Sequence, residues 1–317
     1  MDDSQTNNPN PPWHKAGGLT FQPAPDLLWQ HAATPCTARY YVLGVPLEFA
    51  TNAPGLAALA KDVFGNWGPP GPEKTANAVH LRLFLHDVEE VFPAAGHPAP
   101  LCRAQNGYFF ITVGRSLAFA DRRNGFAAGF VTPALFADSL FVQTGFLETL
   151  GHYLVSRHRP ATLHAAGLVF KGRCVLLTGN NGAGKSTLAY ACLRAGFHLL
   201  ADDVVFAAPE ACITTPMAEG QFTMQNPPSA IDSNLMVWGS PWRMHFLPDA
   251  LRFFPELLGS ECVQMLNGEE KLRLRVNTLR PGATVTHAPV WGVLSLGRTP
   301  GAESRLRTAD AAQVRHA

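Results

Sequence analysis

"LLTGNNGAGKSTL", residues 176–188, decides how this chain is read. Leu176, Leu177 and Thr178 end an apolar run with strand character, and a helix-like segment comes after Ser186. Between them, Gly179, Gly184, Lys185 and Ser186 satisfy G-x-x-x-x-G-K-[ST] without a mismatch. The residue types carry the chemistry. Gly179, Gly182 and Gly184 let the backbone curl so that successive N–H groups point inward around an anion. Asn180, Asn181 and Ala183 complete the loop, and a helix opening at Lys185, Ser186 and Thr187 turns its positive end toward the same phosphates. Lys185 would reach the β- and γ-phosphates of a nucleotide, and the Ser186 hydroxyl would ligate Mg²⁺. ATP and Mg²⁺ are therefore the expected cofactors.

The residues after the loop narrow the class. The letters GNNGAGKST resemble the loop of a transporter-type ATPase, but the LSGGQ-like signature and the distant Asp-Glu strand of that class are missing. Instead Asp202 and Asp203 come 17 and 18 residues after Lys185, inside "HLLADDVVF" (198–206). That spacing leaves room for one short helix and one strand. Both carboxylates would then stand at the carboxyl end of a strand beside the loop, where open α/β sheets bind ligands. Adjacent carboxylates on an apolar strand are costly unless they hold a metal or exchange a proton. Upstream, His164 lies on the strand that precedes a turn at Lys171-Gly172, and a folded-back hairpin would return it toward the loop. Taken alone, a histidine on an apolar strand reads as a core residue. Arg243, in "SPWRMH", suits the charge of a transferring phosphate, and equally suits a solvated surface.

The remaining chain supplies an α/β frame. "RYYVLGVPLEFAT" (39–51) reads as one or two strands, and "APGLAALAKDVFGNWG" (53–68) as a short helix with Asn52 as its cap and Gly65 near its end. Strands are predicted over 79–88, 107–114, 116–121 and 125–131, with Asn124-Gly125 as a hairpin signal. Together they predict a small antiparallel sheet with one helix. Residues 133–158 carry helical spacing throughout and predict one long helix. Further strands are expected at 161–179 (a hairpin), 198–206, 270–276 and 290–297, with helices at 186–196 and 248–258. The expected organisation is a flexible Pro/Asn-rich arm (1–35), a smaller α+β domain (36–132) and an α/β P-loop catalytic domain with a mixed sheet (133–317).

Bulk properties exclude more than they assign. A net charge of +1 gives no electrostatic case for nucleic acid or for an acidic membrane surface. No apolar run approaches the roughly 18 residues of a membrane span, and MDDSQTNNPNPPWHK lacks the apolar stretch of a secretory signal. The six cysteines include no CxxC pair, and Cys174 and Cys192 read as buried free thiols of a reducing compartment. The expectation is a cytoplasmic protein.

The run "LHAAGLVFKGRCVLLTGNNGAGKSTLAYACLRAGFHLLADDVV" (163–205) resembles the catalytic domain of HPr kinase/phosphorylase and, more nearly, the looser group of HPr-kinase-related proteins. The order is the same: a histidine strand, a hairpin, the phosphate loop, a helix ending near Arg-Gly and an Asp-Asp strand. "GSPWRMHFLPDALRFFPEL" (239–257) has the same flavour. The resemblance implies an HPr-kinase-like fold in which Asp203 accepts the proton of an acceptor hydroxyl. It implies that Asp202 partners the metal or phosphate site and that His164 stands near the γ-phosphate. It also suggests a homo-oligomer. Three features depart from the family: His164 is followed by Ala-Ala-Gly, Thr187 stands where glutamate is common, and no EIRGLG-type segment is present. The implied activity is thus the kinase direction, and the departures leave no case for the reverse phosphorylase reaction or for HPr as the particular acceptor. Glu210 and Glu219 are the candidates for a further acidic Mg²⁺ ligand. The leading expectation is an ATP- and Mg²⁺-dependent kinase acting on a serine or threonine hydroxyl of a peptide or small protein. A small-molecule acceptor such as a sugar or nucleoside is a variant, and a nucleotide-binding regulatory or assembly module is the alternative from another class.

Overall fold

The computed structural model describes residues 32–67, 77–94, 96–159, 161–209, 235–265 and 268–297. Residues 1–33 separate from 34–317 as a unit of their own, and the elements below belong to the second unit. Most of the arm expected over 1–35 lies outside the described residues, as do Glu210, Glu219 and Cys212.

The first sheet comprises β1 (Cys36–Val42), β2 (Val45–Thr51), β3 (Val79–Leu85), β4 (Leu101–Gln105), β5 (Tyr108–Val113), β6 (Ser116–Asp121) and β7 (Phe126–Val131). Its order is β1-β2-β3-β7-β6-β5-β4. Apart from β4, which was not expected, the strands fall close to their predicted positions, but the sheet is mixed rather than antiparallel: β3 runs parallel to both β2 and β7. The cause is α1 (Pro54–Phe64), which carries the chain between β2 and β3 as a crossover, and a crossover returns the next strand in the same direction. Asn52 does not cap α1, whose N-cap is Ala53 with no side-chain bond. Its amide instead grips β3, accepting from Leu85 N–H and donating to Leu85 C=O, each at 2.9 Å. At the β6–β7 turn the Asp121 carboxylate accepts from the N–H groups of Arg123 and Asn124, which fixes the Asn124-Gly125 corner.

The long helix expected over 133–158 is broken. It comprises α2 (Pro133–Phe136), α3 (Ser139–Phe141), a seven-residue π-helix (Val142–Glu148) and α4 (Thr149–Val155). Thr132 and Asp138 cap the first two turns by accepting from Leu135 N–H and Phe141 N–H. Thr149 donates its hydroxyl to the Thr144 carbonyl five residues back, which suits the wider π turn. Helical periodicity counts apolar residues and does not register these competing polar bonds.

The second sheet takes β8 (Ala161–His164), β9 (Ala166–Phe170), β10 (Arg173–Thr178), β11 (His198–Ala201), β12 (Val204–Pro209) and β13 (Leu235–Gly239). After β14 (Arg243–Phe246), β15 (Glu261–Gln264) and β16 (Glu270–Arg275), which form a small sheet of order β14-β16-β15, the chain returns as β17 (His287–Ser295). The large sheet is ordered β11-β9-β10-β17-β13-β12-β8 and is mixed, as expected: β10 and β17 are parallel and the other pairs antiparallel. The hairpin turn at Lys171-Gly172 is present, with φ of 49° and 78°. The predicted strand before it is cut at Ala165, however. Only β9 pairs with β10, while β8 crosses to the far edge and pairs with β12. α5 (Lys185–Arg194) comes after the loop and buries Ala189, Tyr190 and Leu193. The helix expected at 248–258 is two 3-10 turns, Pro248–Arg252 and Pro255–Leu257, because Pro255 cannot donate an N–H to a continuing helix. A last short helix, α6, spans Val276–Leu279.

One core cluster packs α1, the π-helix and α4 on the first sheet and includes Phe206, Ala208 and Trp238 of the second sheet. Two further clusters line the two faces of the second sheet. No helix among the described residues is long and apolar enough to cross a membrane.

Candidate functional site

β10 ends at Thr178 and the chain turns at once through Gly179. Gly179 has φ of +137°, and a Cβ there would stand 2.5 Å from the Leu296 carbonyl oxygen, so no other residue fits. Leu296 N–H donates to Thr178 C=O at 2.8 Å, so the end of β17 holds the loop's first corner. Asn180, Asn181 and Gly182 form the exposed tip of the loop. Gly182 stands at a second corner of the loop. It supplies a left-handed corner, φ +77°, but a Cβ there would meet no described atom within 4 Å. Its requirement for glycine is conformational alone, whereas that of Gly179 is also steric. The cradle is partly closed as well, since Ala183 N–H donates to the Asn180 carbonyl at 3.0 Å. Gly184 adopts φ of +102° and serves as the N-cap of α5 without any side-chain bond, which leaves the helix's first N–H groups open to a ligand. Ser186 and Thr187 lie in the first turn of α5. Lys185 is 8% exposed, and its ammonium donates to the Gly179 carbonyl at 2.8 Å and to the Asn180 carbonyl at 3.3 Å. The cation thus lies folded across the mouth of its own loop, where phosphate oxygens can take over from the two carbonyls.

Asp202 and Asp203 occupy the break between β11 and β12, and their side chains meet different surroundings. Asp202 is buried. Its Oδ2 accepts from His245 N–H of β14 at 2.8 Å, and its Oδ1 is buried with no hydrogen-bond partner among the described residues. Burial pushes its carboxyl up to about 6. The His245 N–H and the Ser186 hydroxyl favour the charged form, and the charge of Asp203 opposes it. Asp203 is exposed, and its Oδ1 lies 3.0 Å from His164 Nδ1. The pair is built by sheet register, since Val204 on β12 sits opposite His164 on β8, and Ala165 N–H donates to the Asp203 carbonyl. His164 therefore reaches the aspartates from the far edge of the sheet, not from the hairpin predicted to return it.

Arg243 stands at the start of β14, 2.9 Å from Glu148, the last residue of the π-helix. Neither is fully exposed. His245, close by on β14, is pulled down to about 4 by burial and by the charges of Arg243, Arg273 and Lys271. Glu148 and His245 carried no sequence signal. Glu148 reads as one more carboxylate on a helix face, and His245 contributes to Asp202 only through its backbone.

The donor set fits the cation that a phosphate loop uses. Mg²⁺ prefers oxygen ligands and takes one or two from protein and the rest from phosphate and water. The unpartnered Asp202 Oδ1 and the Ser186 hydroxyl are two such oxygens. Among the described residues no cluster of three or more His, Cys, Asp or Glu could cage a metal alone, so these two donors would act with the nucleotide's own oxygens.

No family model and no curated protein matches the chain. Among solved structures, it is similar to the HPr(Ser) kinase/phosphatase from Coxiella burnetii, with 21% identity, a TM-score of 0.25, and coverage of 43% of this chain. The match spans 64% of that chain, less than two thirds of its length. A superposition of that quality leaves the site's chemistry to be read from this chain's own residues.

Proposed function

We propose that the chain is a phosphotransferase that moves the γ-phosphoryl group of ATP, with Mg²⁺, to the serine or threonine hydroxyl of a peptide or small protein. The observation that carries this reading is the division of labour between Asp202 and Asp203. One is buried against Ser186 of the phosphate loop with an oxygen to spare, and the other is exposed and oriented by His164. A protein that only held nucleotide would need the loop but no oriented base.

In the proposed transfer, the acceptor oxygen bonds to the γ-phosphorus while the bond from that phosphorus to the β–γ bridging oxygen breaks. ADP leaves with that electron pair, and the hydroxyl proton passes to a carboxylate oxygen of Asp203. His164 holds the carboxylate in place. Lys185 and the open N–H groups of the loop and α5 bind and orient the phosphates. Mg²⁺, held by Ser186 and Asp202, would offset phosphate charge. Arg243, paired with Glu148, lines the opening onto Asp203 and can add positive charge there once Glu148 releases it.

The test is incubation with γ-labelled ATP, Mg²⁺ and a cytosolic extract or peptide library, beside Asp203→Asn. Label on a peptide or protein with the wild type only supports the reading. Tight nucleotide binding with no transfer to any acceptor would sink it and leave a nucleotide-binding module.

A further inference from the structure

The small sheet has two unlike faces. Met244, Phe246, Leu272 and Leu274 pack into the core cluster that includes α5. The alternate residues Arg243, His245, Lys271, Arg273 and Arg275 lie on the other face. Strand register sets Arg243 directly opposite Arg275, and His245 opposite Arg273. Like charges placed opposite one another destabilise a strand pair. The sheet does not need them to pack, since its apolar face already does that.

Carboxylates from other segments offset part of this charge. Glu148 of the π-helix lies 2.9 Å from Arg243, and Glu269 lies 3.4 Å from Lys271. Glu261 of β15 accepts two bonds from Arg273, at 2.6 and 3.1 Å. Arg275 is exposed and has no ion pair among the described residues. The remaining positive field is felt at His245, which is pulled down to about 4 by burial first and then by Arg243, Arg273 and Lys271. The face borders a cleft of about 270 Å³, which Arg243 and His245 line together with Asp203, Glu148, Trp67 and Trp242. Trp67 and Trp242 meet there edge to face, with centroids 5.6 Å apart at 88°. The side chains of Arg243 and Glu148 keep 19% and 29% of their exposure, so a ligand in the cleft can reach the pair.

We propose that this cationic face receives an anionic group carried by the acceptor, a carboxylate or phosphate a few bonds from its hydroxyl, and that Glu148 holds the place of that group on Arg243 until the acceptor binds. The inference rests on the phosphotransfer reading and narrows it. Lys185 and the open N–H groups of the loop and α5 already meet the nucleotide's phosphates, so these cations form a second set for a second anion. An anionic acceptor approaching Asp203 and a nucleotide is repelled unless nearby cations offset the charge, whereas a neutral one gains nothing from them. Arginine presents parallel N–H donors that match carboxylate and phosphate oxygens. Exchange of Glu148 for the ligand's anion keeps Arg243 paired, so no uncompensated cation is left in the cleft wall. The anion can come from an acidic residue beside the acceptor serine or threonine, or from a phosphorylated small molecule.

The experiment uses the full chain with a blocked pentapeptide in which threonine is flanked by aspartates, the same peptide with alanines, glycerol 3-phosphate and glycerol. Binding is followed by saturation-transfer NMR, transfer by labelled ATP, and the folding of each variant by its melting temperature. Arg275→Gln acts at an exposed position. Arg243→Gln is combined with Glu148→Gln so that neither charge is stranded, and Glu148→Gln is also made singly. The expected result is that an anionic probe binds about tenfold or more tightly than its neutral counterpart, and that the preference shrinks as salt rises from roughly 0.05 to 0.5 M. The double variant should lose the preference and Arg275→Gln should lower it about threefold. Glu148→Gln alone should raise affinity for the anionic probes about threefold or more, with nucleotide affinity within about twofold in all three. Transfer to the aspartate peptide assigns the peptide source, and transfer to glycerol 3-phosphate the small-molecule one. Equal binding of anionic and neutral probes, or a preference that survives the double variant, would overturn the proposal while the kinase reading stands. A loss of nucleotide affinity with the acceptor preference intact would assign the cations to the nucleotide and overturn it as well. Arg243-dependent binding of the anionic probes without transfer to any acceptor would support the site and overturn the kinase reading. Neither binding nor transfer would overturn both.

Discussion

The first sheet and the connecting segments farther along the chain treat buried polar groups in opposite ways. In the first, the Thr51 hydroxyl accepts from Ala53 N–H, and Ser116 accepts from Thr132 N–H. Thr132 donates to Glu90 and accepts from Leu135 N–H, and Asp121 gathers the turn after β6. Each of these groups has a partner. Elsewhere, in the segment after α4, at the break between β11 and β12 and just before β14, both ring nitrogens of His158, one oxygen of Asp202 and the indole N–H of Trp242 are buried with none among the described residues. Buried polar groups are ordinarily satisfied, so a region that leaves several open is either less stable than it could be or built for something it does not yet hold. The polar groups of the first sheet named above are paired, and the unpaired ones lie in connecting segments farther along the chain.

That contrast can be broken or sharpened by substitution. The largest effect expected is at Asp203. Asp203→Asn should lower phosphoryl transfer by about 10²–10⁴-fold, the usual worth of a positioned base, and leave the melting temperature unchanged because the side chain is exposed. A melting shift of several degrees would make Asp203 part of the frame instead. Next, Lys185→Met should weaken nucleotide binding by roughly 10- to 100-fold, as expected for loss of a charge-assisted hydrogen bond, with titration calorimetry as the readout.

A third pair tests the contrast directly. Asp202→Asn should stabilise the nucleotide-free protein at pH 7 by on the order of 1–3 kcal/mol, because it removes a buried charge whose carboxyl is pushed up to about 6, while Mg²⁺ dependence of nucleotide binding is lost. Thr132→Val in the first sheet should cost about 1–3 kcal/mol instead, since it strands Leu135 N–H and Glu90. Equal signs in denaturant unfolding would dissolve the distinction.

The smallest effect concerns pH. Burial first, then Arg157 and Arg159, hold His158 down at about 4. A histidine with a lowered folded value binds fewer protons than in the unfolded chain. Its stabilising contribution is therefore full above about 6.5 and is lost as pH falls toward 4. His245 acts in the same direction over the same window. Asp202, with a raised value, acts in the opposite direction between about 4 and about 6. His158→Phe should flatten the acid side of the stability profile by on the order of 2 kcal/mol.

Local features of this molecule were legible in the sequence, and pairings between distant segments were not. The glycines, lysine and serine of the phosphate loop declare a backbone conformation within a few residues, and the structure has that strand–loop–helix. The hairpins at Asn124-Gly125 and Lys171-Gly172 were readable because their turn chemistry is local. Nothing local told that β17 would insert between β10 and β13, or that β8 would leave the hairpin for the opposite edge. Those choices are made by burial across the whole sheet. His164 is the instructive case. Its pairing with Asp203 comes from strand register at the β8–β12 edge, a contact across about forty residues that no spacing rule encodes. Glu148, Trp67 and Trp242 were invisible because each reads as an ordinary surface or core residue until α1, the π-helix and β14 converge.

The π-helix has a consequence for how this chain tolerates change in length. A wide turn holds one residue more than an α-turn over the same span, so it behaves as an insertion absorbed by a helix. Removing one residue between Val142 and Glu148 would let the segment relax to ordinary α geometry with its flanks still in phase, whereas removing one from the regular turns of α4 would turn everything before it by roughly 100°. Glu148 and His152 lie at or beyond the end of the wide turn, whereas the caps at Thr132 and Asp138 lie before it. Single-residue deletions within the wide turn would therefore be tolerated, whereas deletions in α4 would be read out at both ends at once, as loss of the first sheet's helical cover or of the Arg243–Glu148 ion pair. Substitutions at the same positions would leave both in place.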